Sequence, residues 1–125
     1  MTIAEVSRKY DLTPDTLRYY ERVGLIPAVP RTSGGLRDYG EDDCRWVEFI
    51  KCMRAAGLPV ETLIRYVALF QQGDATREER LQMLVEQRAL LKERLTAMEE
   101  TIARLDRKIE HYEQWTPCLE HKLGV

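Results

Sequence analysis

From Arg77 to Trp115 the chain contains neither glycine nor proline, and its apolar residues recur at alternating steps of three and four. Leu81, Leu84, Leu91, Leu95, Met98, Ile102, Leu105, Ile109 and Tyr112 fall on one line, with Arg88 the one polar position in it. That spacing is a heptad seam and predicts a single helix of roughly 55 to 60 Å. A stripe of that length is more than the short segment before it can cover. The sequence therefore demands a second helix, most simply that of another copy of the chain, with the eight positions from Leu81 to Ile109 forming the dimer contact. Periodicity leaves the parallel and antiparallel arrangements open. Arg88 helps set register at some cost in stability.

The segment before this helix is built from short, well-punctuated elements. Thr2-Ile3-Ala4-Glu5 has the capping-box spacing and predicts a helix to about Lys9. Thr13 is an N-cap, Pro14 suits the first helical position, Asp15 complements the positive helix end, and Gly24 stops the second helix. On that second helix Leu17, Tyr20 and Glu21 share one face, while Asp15, Arg18, Tyr19 and Arg22 share the other. Ile3, Val6, Leu12 and Leu17 offer a small core between the two, the pattern of a helix-turn-helix.

Ser33-Gly34-Gly35 then marks a turn between two brief extended pieces, a wing that carries Arg31, Arg37 and Tyr39. Pro27 and Pro30 confine the first piece to an edge. Glu41, Asp42 and Asp43 open a third helix to about Ala56, its apolar side expected at Trp46, Phe49, Ile50 and Met53, with Gly57 as the stop. Pro59 opens a fourth with Val60, Leu63, Ile64, Val67 and Phe70 inward, ended by Gly73. The expected organisation is a winged helix-turn-helix domain over 1–72, a dimerisation helix over 76–115 and a short tail over 116–125. The fold class is mostly α.

Charge narrows the function less than pattern does. The net charge is -2, and residues 1–70 hold ten Lys plus Arg against ten Asp plus Glu, so no basic domain announces nucleic acid. No apolar run reaches the ~20 residues of a membrane span and no signal pattern opens the chain, so no membrane partner and a cytoplasmic location are expected. Cys44, Cys52 and Cys118 are three widely spaced cysteines without a C-x-x-C, which reads as free thiols. No Ser, His and Asp constellation or phosphate-cradling loop is present, so neither an enzyme nor a bound cofactor is expected.

The ordered series Thr13-Pro14-Asp15-Thr16-Leu17-Arg18-Tyr19-Tyr20-Glu21-Arg22, Gly24-Leu25-Ile26-Pro27, the Arg31-x-x-x-Gly35-x-Arg37-x-Tyr39 wing and the long helix resembles the MerR family of bacterial transcriptional regulators. The resemblance covers residues 1–115. It implies a DNA-binding domain with a second, helical wing and an antiparallel coiled coil between two subunits. It also implies promoters with an over-long spacer, which the dimer bends and untwists for RNA polymerase. Carried over residue by residue, it places contacts to double-stranded promoter DNA at Arg18, Tyr19, Arg37 and Tyr39, with Thr13, Thr16, Arg31 and Arg54 as further contacts.

Arginine can bond guanine edges bidentately or hold phosphate, and tyrosine can bond phosphate through its hydroxyl. For the inducer, Cys52 in Phe49-Ile50-Lys51-Cys52-Met53-Arg54 looks like the lone cysteine of the subgroup that answers reactive aldehydes and nitrosative stress. It lies about 100° from the expected apolar centre of the third helix, a semi-buried boundary position where an adduct would overpack the core. Glu48 at i-4 opposes its ionisation. Alternatives are a metal-responsive regulator using Cys118 and His121, and a coiled-coil adaptor that binds protein rather than DNA.

Overall fold

The computed structural model describes residues 1–114. Five helices follow one another: α1 (Ile3–Tyr10), α2 (Pro14–Val23), α3 (Glu41–Ala55), α4 (Val60–Gln71) and, after a single 3-10 turn at Asp74–Thr76, α5 (Arg77–Glu113). The chain divides into two compact units, Met1–Val85 and Glu86 onward.

Local chemistry fixes the helix ends. Thr2 and Glu5 close a reciprocal capping box at α1, each side chain accepting from the other's backbone amide at 3.2 and 3.0 Å. Thr13 caps α2 by accepting from the Thr16 amide at 3.1 Å, and Pro14 takes the first helical position. Asp11 at φ 53° and Gly24 at φ 86° turn the backbone left-handed after α1 and α2. That turn lets the amides of Leu25 and Ile26 both reach the Tyr20 carbonyl, at 2.8 and 3.3 Å, and both side chains then drop into the core. Val6 and Leu17 are fully buried between α1 and α2, with Ile3 and Leu12 half-buried at the edge.

The hairpin is minimal. Arg31 and Arg37 form an isolated antiparallel bridge, and no longer strand exists among the described residues. Pro27 and Pro30 cannot donate to a ladder, which keeps the pairing to this one rung.

Helix α3 departs from its expected packing. Its buried residues are Cys44, Val47 and Ile50, whereas Trp46 and Phe49 lie half-exposed against α4, Trp46 edge-on to Phe70 at 5.0 Å and Tyr66 at 6.2 Å between centroids and Phe49 tilted on Tyr66 at 5.9 Å. The apolar band is wide enough to meet two neighbours, and periodicity points to its middle rather than to its buried arc. On α4 the buried set is Leu63, Val67 and Leu69, while Phe70 is exposed.

The start of α5 is tied back to α4. The buried Thr76 hydroxyl lies 2.6 Å from the Leu69 carbonyl and 2.9 Å from that of Gly73, and accepts from Arg80 Nε at 3.0 Å. Arg80 also sits over the Phe70 ring at 5.5 Å, and Arg65 pairs with Glu79 at 2.6 Å. Those ties explain why the first unit runs to Val85. No residue of α5 is buried. Leu81, Leu84, Leu95, Met98, Ile102, Leu105, Ile109 and Tyr112 stand exposed and Leu91 is half-buried. No helix among the described residues is long and apolar enough to cross a membrane.

Candidate nucleic-acid interface

The second helix has one face spent on the core and one left over. Leu17 and Tyr20 are buried. Burial raises the Tyr20 phenol's pKa, partly offset by the positive field of Arg54. On the opposite side Arg18 and Tyr19 are exposed. Arg18 Nη1 donates to Asp15 at 2.8 Å on the same turn, and Arg22 lies over the Tyr19 ring at 5.5 Å. These contacts align the outer side chains, while solvent screening leaves the pair of little energetic weight. Thr13 and Thr16 meet hydroxyl to hydroxyl at 2.9 Å at the N-terminal end of this face, where the Thr16 amide is already capped by Thr13 and Pro14 has no N–H to offer.

The wing is fastened to this helix by a residue that reading the sequence assigned only to an inner face. Glu21 Oε1 accepts from Arg37 Nε at 2.6 Å, and its Oε2 accepts from the Val29 amide at 3.0 Å. Both side chains are largely covered, 13% exposed for Glu21 and 20% for Arg37. Burial alone would raise the Glu21 pKa, but the bonds from Arg37 and Val29, with the charges of Arg37 and Arg31, hold it below its ordinary value. One carboxylate thus clamps both limbs of the wing to α2. A glutamate in the last turn of a helix, eight residues before a valine, carries no sequence signal of such a role.

Two expected contacts change meaning. Tyr39 is only 1% exposed, so a hydroxyl on phosphate is not what this arrangement offers; the ring is core. Its hydroxyl is buried without a hydrogen-bond partner among the described residues, and burial raises its pKa, Arg37 opposing. The backbone of Tyr39 receives the chain start, its carbonyl accepting from the Met1 amine at 2.7 Å and its amide donating to the Met1 carbonyl at 2.8 Å. A tyrosine after a surface hairpin looks outward on pattern alone, but here the hairpin folds back onto the N-terminus and covers it. Arg37, in turn, is committed through Nε to Glu21 and half-buried.

Arg31 Nη1 donates to the Gly35 carbonyl at 3.0 Å across the wing. Arg54 Nη1 donates to the Leu58 carbonyl at 2.9 Å, closing the turn between α3 and α4.

Cys52 also differs from expectation: it is exposed, not semi-buried, while Cys44 is buried. The reason is geometric. The buried arc of α3 centres on Cys44, Val47 and Ile50, which puts Cys52 about 140° from it at 100° per residue. An adduct there cannot overpack a core. Cys118 and His121 lie outside the described residues.

A two-helix motif with an exposed cationic and aromatic outer face, flanked by a clamped wing, defines a winged helix-turn-helix DNA-binding protein. Comparison with known proteins gives the family. The model of the MerR HTH family regulatory proteins matches residues 1–69, and that described as MerR, DNA binding, matches residues 44–108. The chain belongs to the MerR family of transcriptional regulators and, as such, is not an enzyme. It is 56% identical over 91 residues to the HTH-type transcriptional regulator AdhR of Bacillus subtilis (strain 168), a match covering 73% of this chain and 65% of that protein. A crystal structure from Listeria monocytogenes assigned to the MerR family superposes with a TM-score of 0.89 at 44% identity, covering 99% of this chain and 92% of that one. HiNmlR, a MerR family regulator lacking the sensor domain and bound to promoter DNA, superposes with a TM-score of 0.83 at 27% identity, covering 90% of each chain.

Proposed function

We propose that this chain is a homodimeric regulator that deforms promoter DNA for RNA polymerase and is switched by electrophilic or oxidative stress at Cys52. The observation that carries the DNA reading is the outer face of α2, where Arg18 and Tyr19 stay exposed while the apolar residues of the same helix are consumed by the core. Arg18 and Tyr19 read and grip the major groove, the Thr13 and Thr16 hydroxyls contact phosphate, and Arg31, Arg37 and Arg54 add positive charge around it. The likeness to HiNmlR, which is bound to promoter DNA, supports the same partner here. Dimerisation is supported by the seam of α5 from Leu81 to Ile109, none of whose residues is buried by the described residues. A dimer places two recognition helices on successive half-sites, and binding by both offsets the cost of bending the DNA between them.

The thiol reading rests on the similarity of the helix-3 segment around Cys52 and on its exposure, since an electrophile must reach the sulfur. With an aldehyde, the sulfur bonds the carbonyl carbon and the thiol proton passes to the carbonyl oxygen, giving a hemithioacetal. Its bulk alters what docks on this face of α3 rather than the packing beneath it. The test pairs a gel shift on the chain's own promoter region with a reporter assay. Cys52→Ala should bind that DNA normally yet ignore an added aldehyde, and mass spectrometry of treated wild-type protein should find the adduct on Cys52. A normal response in Cys52→Ala, with loss in Cys118→Ala, would move the sensor to the tail.

A further inference from the structure

Four charged residues along the α5 seam have no counter-charge inside their own chain. Arg88, Lys92, Glu99 and Asp106 are exposed, and none of them enters an ion pair among the described residues. Their own helix cannot supply one. No position three or four residues away from any of the four carries the opposite charge. Arg88 and Lys92 stand at i and i+4, as do Asp106 and Glu110, and like charges at that spacing destabilise an isolated helix. Charge held at such a cost is compensated from outside the chain.

The order of the four along the helix says what compensates it. Lys92, Glu99 and Asp106 directly follow the seam positions Leu91, Met98 and Leu105, so they form one flank of the seam, while Arg88 lies in the seam itself. This edge is cationic toward its start and anionic toward its end. It meets and complements a second copy of itself when that copy runs the other way. A parallel pair would instead stack Arg88 on the partner's Arg88 within the seam, two like charges taken out of water.

We infer that two copies of α5 pair antiparallel in a single register, which sets Lys92 against the partner's Glu99 and Arg88 beside the partner's Leu105, within reach of the partner's Asp106. This register matches the ten seam positions end to end, and two-fold symmetry makes each ion pair twice. Sliding by one heptad in either direction leaves two seam positions of each helix unmatched. One slip sets Lys92 against the partner's Lys92, and the other sets Glu99 against the partner's Glu99. The apolar stripe brings the copies together, and these charges select one alignment. The inference rests on the dimer reading and concerns only how the copies align.

Charge reversal tests the alignment in the full-length protein. Lys92→Glu and Glu99→Lys each replace two attractions by two repulsions and should weaken the dimer about tenfold at low salt, measured by sedimentation. Lys92→Glu also gives Arg88 a carboxylate at i+4, so a loss there does not come from a weakened helix. The double variant Lys92→Glu with Glu99→Lys should recover wild-type affinity. Mixed in equal amounts, the two single variants regain both pairs in a heterodimer, which native mass spectrometry should find well above the half that random pairing gives. Carbodiimide should join Lys92 to Glu99 between subunits, since a rise of ~10.5 Å along the helix keeps the two apart within one chain. Random mixing, a double variant as weak as the singles, or a Lys92 crosslink to Asp106 in place of Glu99 would overturn the inference. A wild type that sediments as a monomer would instead strike the dimer reading itself.

Discussion

Replacing Glu21 with glutamine tests the clamp between α2 and the wing while keeping the side-chain shape. The carboxylate accepts one bond from Arg37 and one from the Val29 amide. An amide leaves one of those donors facing an N–H₂ group and the Arg37 charge uncompensated in a largely covered site. Hydrogen bonds to a charged group contribute ~1.5 to 3 kcal/mol each, and removing one partner of a buried pair costs ~3 to 5 kcal/mol. Partial exposure lowers the upper figure, so Glu21→Gln should cost about 2 to 4 kcal/mol. For a unit the size of Met1–Val85, that is a fall in melting temperature of roughly 10 to 25 °C at fixed protein concentration.

The effect carries a pH signature. Because the folded state holds the Glu21 pKa below its ordinary value of 4.5, the clamp contributes its full stability above that value and loses it as pH falls through the folded pKa. Urea unfolding followed by circular dichroism should show a wild-type advantage that is constant from about pH 6 to 8 and shrinks below about pH 4.5. An advantage under about 0.5 kcal/mol at pH 7, or one that does not change with acid, would refute the clamp.

Arg18→Ala should weaken operator binding by ~1 to 3 kcal/mol and lose more on cognate than on random DNA, measured by anisotropy; an unchanged operator affinity would remove Arg18 from base reading. Leu95→Asp places a charge in the middle of the exposed seam and should give a monomer in sedimentation, with loss of tight operator binding. Thr76→Val strips the hydroxyl shared by the Leu69 and Gly73 carbonyls and Arg80, and should lower the urea midpoint by the equivalent of about 1 to 2 kcal/mol with the slope unchanged.

Much of the architecture was legible because it depends on residues close together in the chain. The Thr2 and Glu5 box, the Thr13 and Pro14 start, the Gly24 and Gly57 stops and the unbroken helix after Arg77 each follow from bonds and sterics spanning a few residues. The outer face of α2 followed from the same local logic, since Arg18 and Tyr19 are placed by helical spacing from Leu17 and Tyr20.

Tertiary structure decided which of several chemically acceptable surfaces met a neighbour. Helix α3 has an apolar band wide enough for two contacts, and only the position of α4 and the N-terminal helices made Cys44, Val47 and Ile50 the buried arc, turning Cys52 into solvent. Tyr39 became core because the hairpin returns to Met1, 38 positions away in the chain. Arg37 became a clamp because Glu21, 16 positions away, holds it. Local sequence fixes where helices begin and end because capping and turn sterics act between near neighbours. It cannot fix pairings between distant residues, whose energies depend on how the elements come together.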